Sequence, residues 1–291
     1  MSNSLTLEKL LLAPVVAFLL VFYVGPIGFD LWASVRSEGG AVSAAGGFVG
    51  FAHYASLLSD ARIWSSAGVT LVFTVTVVIA TYVVGLVAAM TLNRKFFGRD
   101  VIGSLLLIPW TMPLVVAAVV WGWLLDYQFG IVNYLLEKSG LISQPIGFLT
   151  DPDVALTSVG AAQVWRLFPL AMVTLLAALK AIPQELYEAA AIDGANRWQS
   201  FWSVTLPSIR STTTALVLLI AIWAFGRVFT IVFVMTGGGP AGATETLVIA
   251  TYLEAFRYFR LERASALGAM VLAISVILTL LYLRASRDRS K

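Results

Sequence analysis

The residue types that perform chemistry are scarce in this chain. It has one histidine, His53, and no cysteine. A multi-histidine metal site, a thiolate nucleophile and a disulfide are therefore all beyond its means. No glycine-rich loop ends in Gly-Lys-Ser/Thr, and Gly237-Gly238-Gly239-Pro240 is followed by no Lys-Ser/Thr pair, so no segment reads as a phosphate-cradling loop. Two features remain. Arg166 and Arg227 sit in otherwise uncharged apolar stretches, and a polar segment, 188–207, lies between two long apolar ones. Ionisable groups inside such stretches usually face a cavity or a partner. Trp165 and Phe168, beside Arg166, offer aromatic faces for stacking, and Pro169 kinks a helix and frees backbone groups. The alternative for each arginine is snorkelling or pairing within the helices.

The elements that must position these residues are membrane spans. Of 291 residues, 59% are hydrophobic and 12% charged, against about 25% charged in soluble domains. Mean hydropathy is +0.88. Six stretches reach the roughly 20 apolar residues that a spanning helix needs: 10–29, 63–93, 101–125, 154–179, 211–244 and 264–283. Hydrocarbon leaves backbone groups no partner but one another, so these runs predict helices. The expected fold class is all-α integral membrane with six transmembrane helices, one membrane domain over 1–291. The small-residue run 41–47 resembles a cleavage site, but the apolar run before it exceeds a signal core, and Asp30 and Arg36 intervene. A retained helix is expected.

Six helices place both termini on one side, and Lys/Arg bias decides which. With both ends inside, eleven basic residues are cytoplasmic and six external. That bias puts the termini and the segment after Lys180 in the cytoplasm. Loops 37–60, 126–153 and 237–263 fall outside, the last carrying acids and bases alike. His53 lies in the first of them and suits a surface role. A net charge of +3 needs no nucleic acid.

The inner segment has its own local logic. Pro183 suits a first helical position, and Glu185 and Glu188 complement the helix dipole in the first turns. Leu186, Ala189 and Ala190 recur at helical spacing. Gly194, after Asp193, is where a helix can end in a left-handed residue. A second short helix is expected from about Asn196, with Trp198, Phe201 and Trp202 on one face. Pro207 is expected to separate it from the next span. Such a loop either lies against its own bundle or fills a partner's groove.

Segment 188–207 resembles the cytoplasmic coupling loop of permease subunits of binding-protein-dependent ABC importers. Glu188, Ala189, Ala190, Gly194, Val204, Leu206 and Pro207 fall on that pattern, while Ser208–Ser211 lacks the proline often seen there. Gln163–Pro169, Leu179–Tyr187, Met235–Pro240, Thr244–Leu247 and Ala255–Phe256 are similar to permeases of carbohydrate and glycerol-phosphate importers, including the larger maltose permease subunit, without its extra helices and large external domain.

The resemblance implies a type I ABC importer permease fold and a non-catalytic pore subunit. It implies a coupling loop over 181–208 in which Glu188, Ala189, Ala190, Asp193 and Gly194 meet an ATPase. It also implies solute contacts at Gln163, Trp165, Arg166, Leu170, Phe225 and Arg227. No cofactor is expected in this chain; ATP and Mg belong to the partner ATPase. The expected partners are a second, unlike permease, two ATP-binding subunits and an extracytoplasmic solute-binding protein, all at a bacterial or archaeal cytoplasmic membrane. The solute is a sugar or related compound, glycerol phosphate included. The competing classes fit less well. An ion-coupled secondary carrier would be expected to show buried acids or an inverted repeat, and an intramembrane enzyme a histidine cluster or paired carboxylates.

Overall fold

The computed structural model describes residues 12–37 and 47–287. Lys9, Leu10, Arg289, Lys291 and most of the 41–47 run lie outside the described residues. Among the described residues the backbone is helical, and the strand-type pairing seen is a lone bridge between Arg36 and Phe48.

Helix α1 spans Leu12–Ala33, with a π turn at Leu20–Val24. Then come α2 (Ala52–Leu58), α3 (Ala61–Asn93), α4 (Arg99–Thr111), α5 (Leu114–Leu124), α6 (Ile131–Lys138), α7 (Pro152–Lys180) and α8 (Gln184–Ile192). Helix α9 runs Arg197–Gly226 through a π turn at Phe201–Thr205. It is followed by α10 (Phe229–Met235), α11 (Leu247–Tyr252, extended by a π turn to Arg257) and α12 (Leu261–Arg287). Five of these helices are long and apolar enough to cross a membrane: α1, α3, α7, α9 and Leu261–Leu280 of α12. The sixth expected span, 101–125, is instead the pair α4 and α5, bent by 99°. Pro113 explains the break. It has no N–H to continue α4, and it holds Met112 extended at φ −73°, ψ 135°.

Two other boundaries differ from expectation. Pro207 does not separate α9 from its short leading helix, because it sits in the first turn after a π turn, where a missing N–H costs little. The Leu206 N–H reaches back to Phe201, and the helix continues. The apolar stretch 211–244 ends as a helix at Gly226, so Arg227 lies in a break between α9 and α10.

The chain forms two compact units. Unit 1 comprises residues 1–64 and 250–273. Its α1 exposes most side chains, as a lipid-facing helix does, and its loops are held by polar contacts. His53 Nε2 lies 2.6 Å from the Arg36 carbonyl, and the Ser34 and Tyr54 hydroxyls are 2.8 Å apart. His53 is thus half-buried and structural.

Unit 2 comprises 65–249 and 274–291, and its core is α7. Leu167, Ala171, Met172 and Leu175 are fully buried there. In lipid, helices associate by close packing rather than by escape from water. Gly85 of α3 accordingly meets Ala171 so tightly that an added Cβ would lie 2.5 Å from the alanine Cβ. Tyr82 and Thr213 join α3 to α9 at 3.2 Å. Helix α7 packs against α4 and α9, and α5 against α10. Buried Asn133 of α6 staples its loop by donating to the Asp126 and Ile146 carbonyls and accepting from the Ile146 N–H.

Candidate functional site

The inner turn is built by backbone rules that the local sequence supplies. Helix α8 starts at Gln184, one residue later than the proline-first expectation, with Pro183 as its N-cap. It ends in a Schellman turn: Ala195 N–H donates to the Ala190 carbonyl at 2.9 Å and Gly194 N–H to that of Ala191 at 3.1 Å. Gly194 closes it at φ +81°, a backbone that side chains with a Cβ resist. Asn196 then caps α9 in a reciprocal box with Gln199, through bonds of 2.9 and 2.8 Å.

The turn presents Glu188, Ala189, Asp193 and Gly194 to the exterior, with Ala190 half-buried. Ile192 beside them is 87% exposed and Trp198 is 67% exposed. Trp198, Phe201 and Trp202 cluster as expected, with centroids 5.4 to 5.8 Å apart. Tyr187 bonds to Thr205 at 3.0 Å, tying α8 to the start of α9. The five residues expected at the coupling contact thus share one exposed elbow. Large apolar groups left in the open there are what a protein partner covers.

The arginines of the two apolar stretches meet at a pair of tryptophans, Arg166 half-buried and Arg227 exposed. Trp110, the penultimate residue of α4, stacks on Trp223 of α9 with centroids 5.8 Å apart and planes 11° from parallel. Arg166 lies over the Trp110 ring at 5.7 Å, and Arg227 over Trp223 at 5.3 Å. Each is a cation–π contact. Gln163 precedes Arg166 by one helical turn, on the same face of α7, and Leu170 follows by another. The other two expected solute contacts stand apart. Trp165 meets Trp121 of α5 edge-on at 5.7 Å, and Phe225 is packed in the core. Trp110 and Trp223 were not singled out from the sequence. The usable signals were Trp223 four residues before Arg227, and Trp110 between two prolines.

The outer segment 237–263, expected as a mixed-charge loop, turns at its glycines, is helical over Leu247–Arg257, and buries both Glu245 and Glu254. In unit 2, Thr244 bonds to Thr236 and to the Gly239 carbonyl, both at 2.7 Å, closing the Gly-rich turn. Glu245 accepts from Ser66 at 3.0 Å. In unit 1, Glu254 is fully buried yet ionically paired. Its carboxylate lies 2.8 Å from Arg62 and 3.3 Å from Arg263, and Arg263 also holds Asp60. Tyr258 lies under Arg62 at 4.9 Å, and Phe259 is held at φ +56°. Glu254 carries no weight in a Lys/Arg bias, so its burial leaves no mark there.

Comparison with known proteins follows this geometry. Residues 81–291 match the family model described as binding-protein-dependent transport system inner membrane component. The trehalose/maltose transport system permease protein MalF of Thermococcus litoralis is 34% identical, over 99% of both chains. The sn-glycerol-3-phosphate transport system permease protein UgpA of Agrobacterium fabrum is 31% identical, over 97% of this chain and 95% of its own length. Among solved structures, a bacterial ABC transporter involved in import of the acidic polysaccharide alginate superposes with a TM-score of 0.82. It covers 100% of this chain and 98% of that chain, at 21% identity. A second structure of such a transporter, with an alginate pentasaccharide-bound periplasmic protein, gives 0.82 over 98% of this chain and 95% of that one, also at 21% identity.

Proposed function

We propose, from the premise that this chain belongs to the family of binding-protein-dependent transport system inner membrane components, that its α8–α9 elbow takes force from an ATPase and its arginine–tryptophan cluster receives the solute. The chain is a multi-pass permease subunit of an ATP-driven ABC importer of sugars or related solutes, with the type I fold. ATP hydrolysis belongs to a separate subunit, so this chain is a pore component and not an enzyme.

One observation carries the proposed coupling. Helix α9 starts at the elbow, on the Asn196 cap directly after the Gly194 turn, and its 30 residues, a π turn among them, span about 45 Å. Closure of two ATP-binding subunits around ATP and Mg would pull on Glu188, Ala189, Ala190, Asp193 and Gly194. Helix α9 would carry that movement into the membrane. Nucleotide shifts the equilibrium only by its differential affinity for the two states. The chain acts as a single membrane domain with elbow 181–208, beside a second, unlike permease and below an extracytoplasmic binding protein. Both termini are cytoplasmic. Gln163, Arg166, Leu170 and Arg227 line the solute path, Trp165 and Phe225 shape it from their places against Trp121 and in the core, and the relatives bracket the cargo between disaccharides and glycerol phosphate.

The absence of cysteine makes the test clean. Ile192→Cys should react with an impermeant maleimide in inside-out vesicles and be silent in right-side-out ones. The affinity-purified chain should bring an ATPase with it, and uptake should stop when that ATPase is disabled. Uptake that persists would favour an ion-coupled carrier instead.

A further inference from the structure

We propose that the cargo is an anion, a sugar or polyol bearing a carboxylate, sulfonate or phosphate, and that Arg166 and Arg227, set by Trp110 and Trp223, are the groups that receive its charge. The inference rests on the importer reading above and specifies the solute for it.

The argument begins with charge balance. In unit 1 the buried carboxylate is paired: Glu254 with Arg62 and Arg263, and Arg263 in turn with Asp60. Among the described residues no acid lies within ion-pair distance of Arg166 or Arg227, and the Arg166 Nε is buried with no hydrogen-bond partner. Arg227 is exposed on the surface of this chain, whereas Arg166 is half-buried, and removing a cation such as Arg166 fully from water costs several kcal/mol even after relaxation. A cation–π contact returns about 2 kcal/mol when desolvated. The rings therefore hold the two guanidiniums in place without neutralising them. Two like charges joined through one aromatic pair, with no counter-charge of their own, are completed by an anion that arrives and leaves.

The second observation is Gln163. It is 3% exposed, and its Oε1 is buried with no partner. One turn from Arg166 on the same face, it offers an acceptor for a cargo hydroxyl. A buried polar atom left open is costly unless something fills it.

The third observation is the backbone. Trp110 stands three residues before Pro113, at the 99° bend, and Arg227 lies in the α9–α10 break. Irregular backbone at membrane depth is tolerated where it lines a cavity or is buried in protein. A neutral sugar needs hydroxyl partners, which amides supply at no charge cost. Guanidinium forks match carboxylate, sulfonate or phosphate oxygens in pairs.

The test uses the assembled complex in nanodiscs, with thermal stabilisation as the readout. The probes are matched pairs: galacturonate against galactose, glycerol 3-phosphate against glycerol, and glucose 6-sulfonate against glucose. The inference expects at least one charged member to stabilise the wild type at concentrations about tenfold below its neutral twin, and expects R166Q and R227Q to abolish that difference. Gln163→Glu guards against variants that merely misfold. It supplies an internal counter-charge, so it should raise the melting temperature and remove the anion response together. Equal or better binding of the neutral members, no response to any charged member, or an unchanged response in both arginine variants would overturn the inference. So would a lowered melting temperature in Gln163→Glu, which would point to an acid of the second permease already pairing the arginines. ATPase co-purification reports separately on the importer reading, so either can fail alone.

Discussion

The Ala195 N–H donates to the Ala190 carbonyl at 2.9 Å, and the turn this closes exists because Gly194 accepts φ +81°. A Cβ added at Gly194 meets nothing within 4 Å, so steric crowding inside the chain is not the constraint. Backbone strain and the outward surface are. Left-handed backbone costs an ordinary residue about 1–2 kcal/mol. Gly194→Ala is expected to weaken coupling partially. Gly194→Asp adds charge to the proposed ATPase contact and is expected to stop uptake at normal membrane abundance. Transport measured on purified, fully assembled complexes checks this, and near-wild-type uptake by the aspartate variant would exclude Gly194 from coupling.

Ile192 and Trp198 flank that turn at 87% and 67% exposure. Anchors of this kind are worth about 2 kcal/mol each in a protein interface. Ile192→Glu is therefore expected to reduce ATPase co-purification about thirtyfold at limiting concentration. Trp123 is 74% exposed on α5, distant in sequence from the elbow. Trp123→Ala serves as the control and should leave ATPase recovery unchanged.

The spans and the elbow were legible because both depend on near neighbours in sequence. Hydropathy located the apolar runs, and Gly194 and Asn196 announced their turns through their own backbone preferences. Pro113 was equally visible, but a hydropathy window averages across it, so 101–125 read as one straight span where the chain bends by 99°. Pro207 misled in the opposite direction, because the π turn that accommodates it leaves no compositional mark. Glu254 and Arg62 are 192 residues apart in sequence. The Trp110–Trp223 stack likewise joins distant segments. Neither pairing has a local signal, and only the folded chain brings its partners together.

Gly85 is where α3 and α7 come closest. An added Cβ would sit 2.5 Å from the Ala171 Cβ and 3.1 Å from the Met172 backbone nitrogen, which cannot swing away as a flexible side-chain tip can. Overpacking of this kind costs about 1–3 kcal/mol. Gly85→Val is expected to lower folded yield in detergent, judged by size-exclusion chromatography. Gly85→Ala should do so less, and pairing it with Ala171→Gly should restore much of the loss. Gly160, whose added Cβ would come no nearer than 3.9 Å to Val77, should accept alanine.

Glu254 supplies the sharpest test of unit 1. It is fully buried, with Arg62 at 2.8 Å, Arg263 at 3.3 Å and Arg260 at 3.9 Å. Burying that carboxylate is expensive, and Arg62 and Arg263 offset the expense only while both are present. Glu254→Gln removes the negative charge. Arg263 retains Asp60 and Arg62 retains the Tyr258 ring, but the cluster then carries excess positive charge. Breaking a buried pair in this way costs about 3–5 kcal/mol, so the variant should melt well below the wild type. Replacing Glu254 and Arg263 together by leucine removes charge of both signs and should cost less than Glu254→Gln alone. Arg260, half exposed at the longest of the three distances, should be replaceable by alanine at a cost of about 0.5 kcal/mol or less. Melting curves of the four proteins rank these outcomes. If Glu254→Gln and Arg260→Ala melt alike, the cluster does not stabilise the fold.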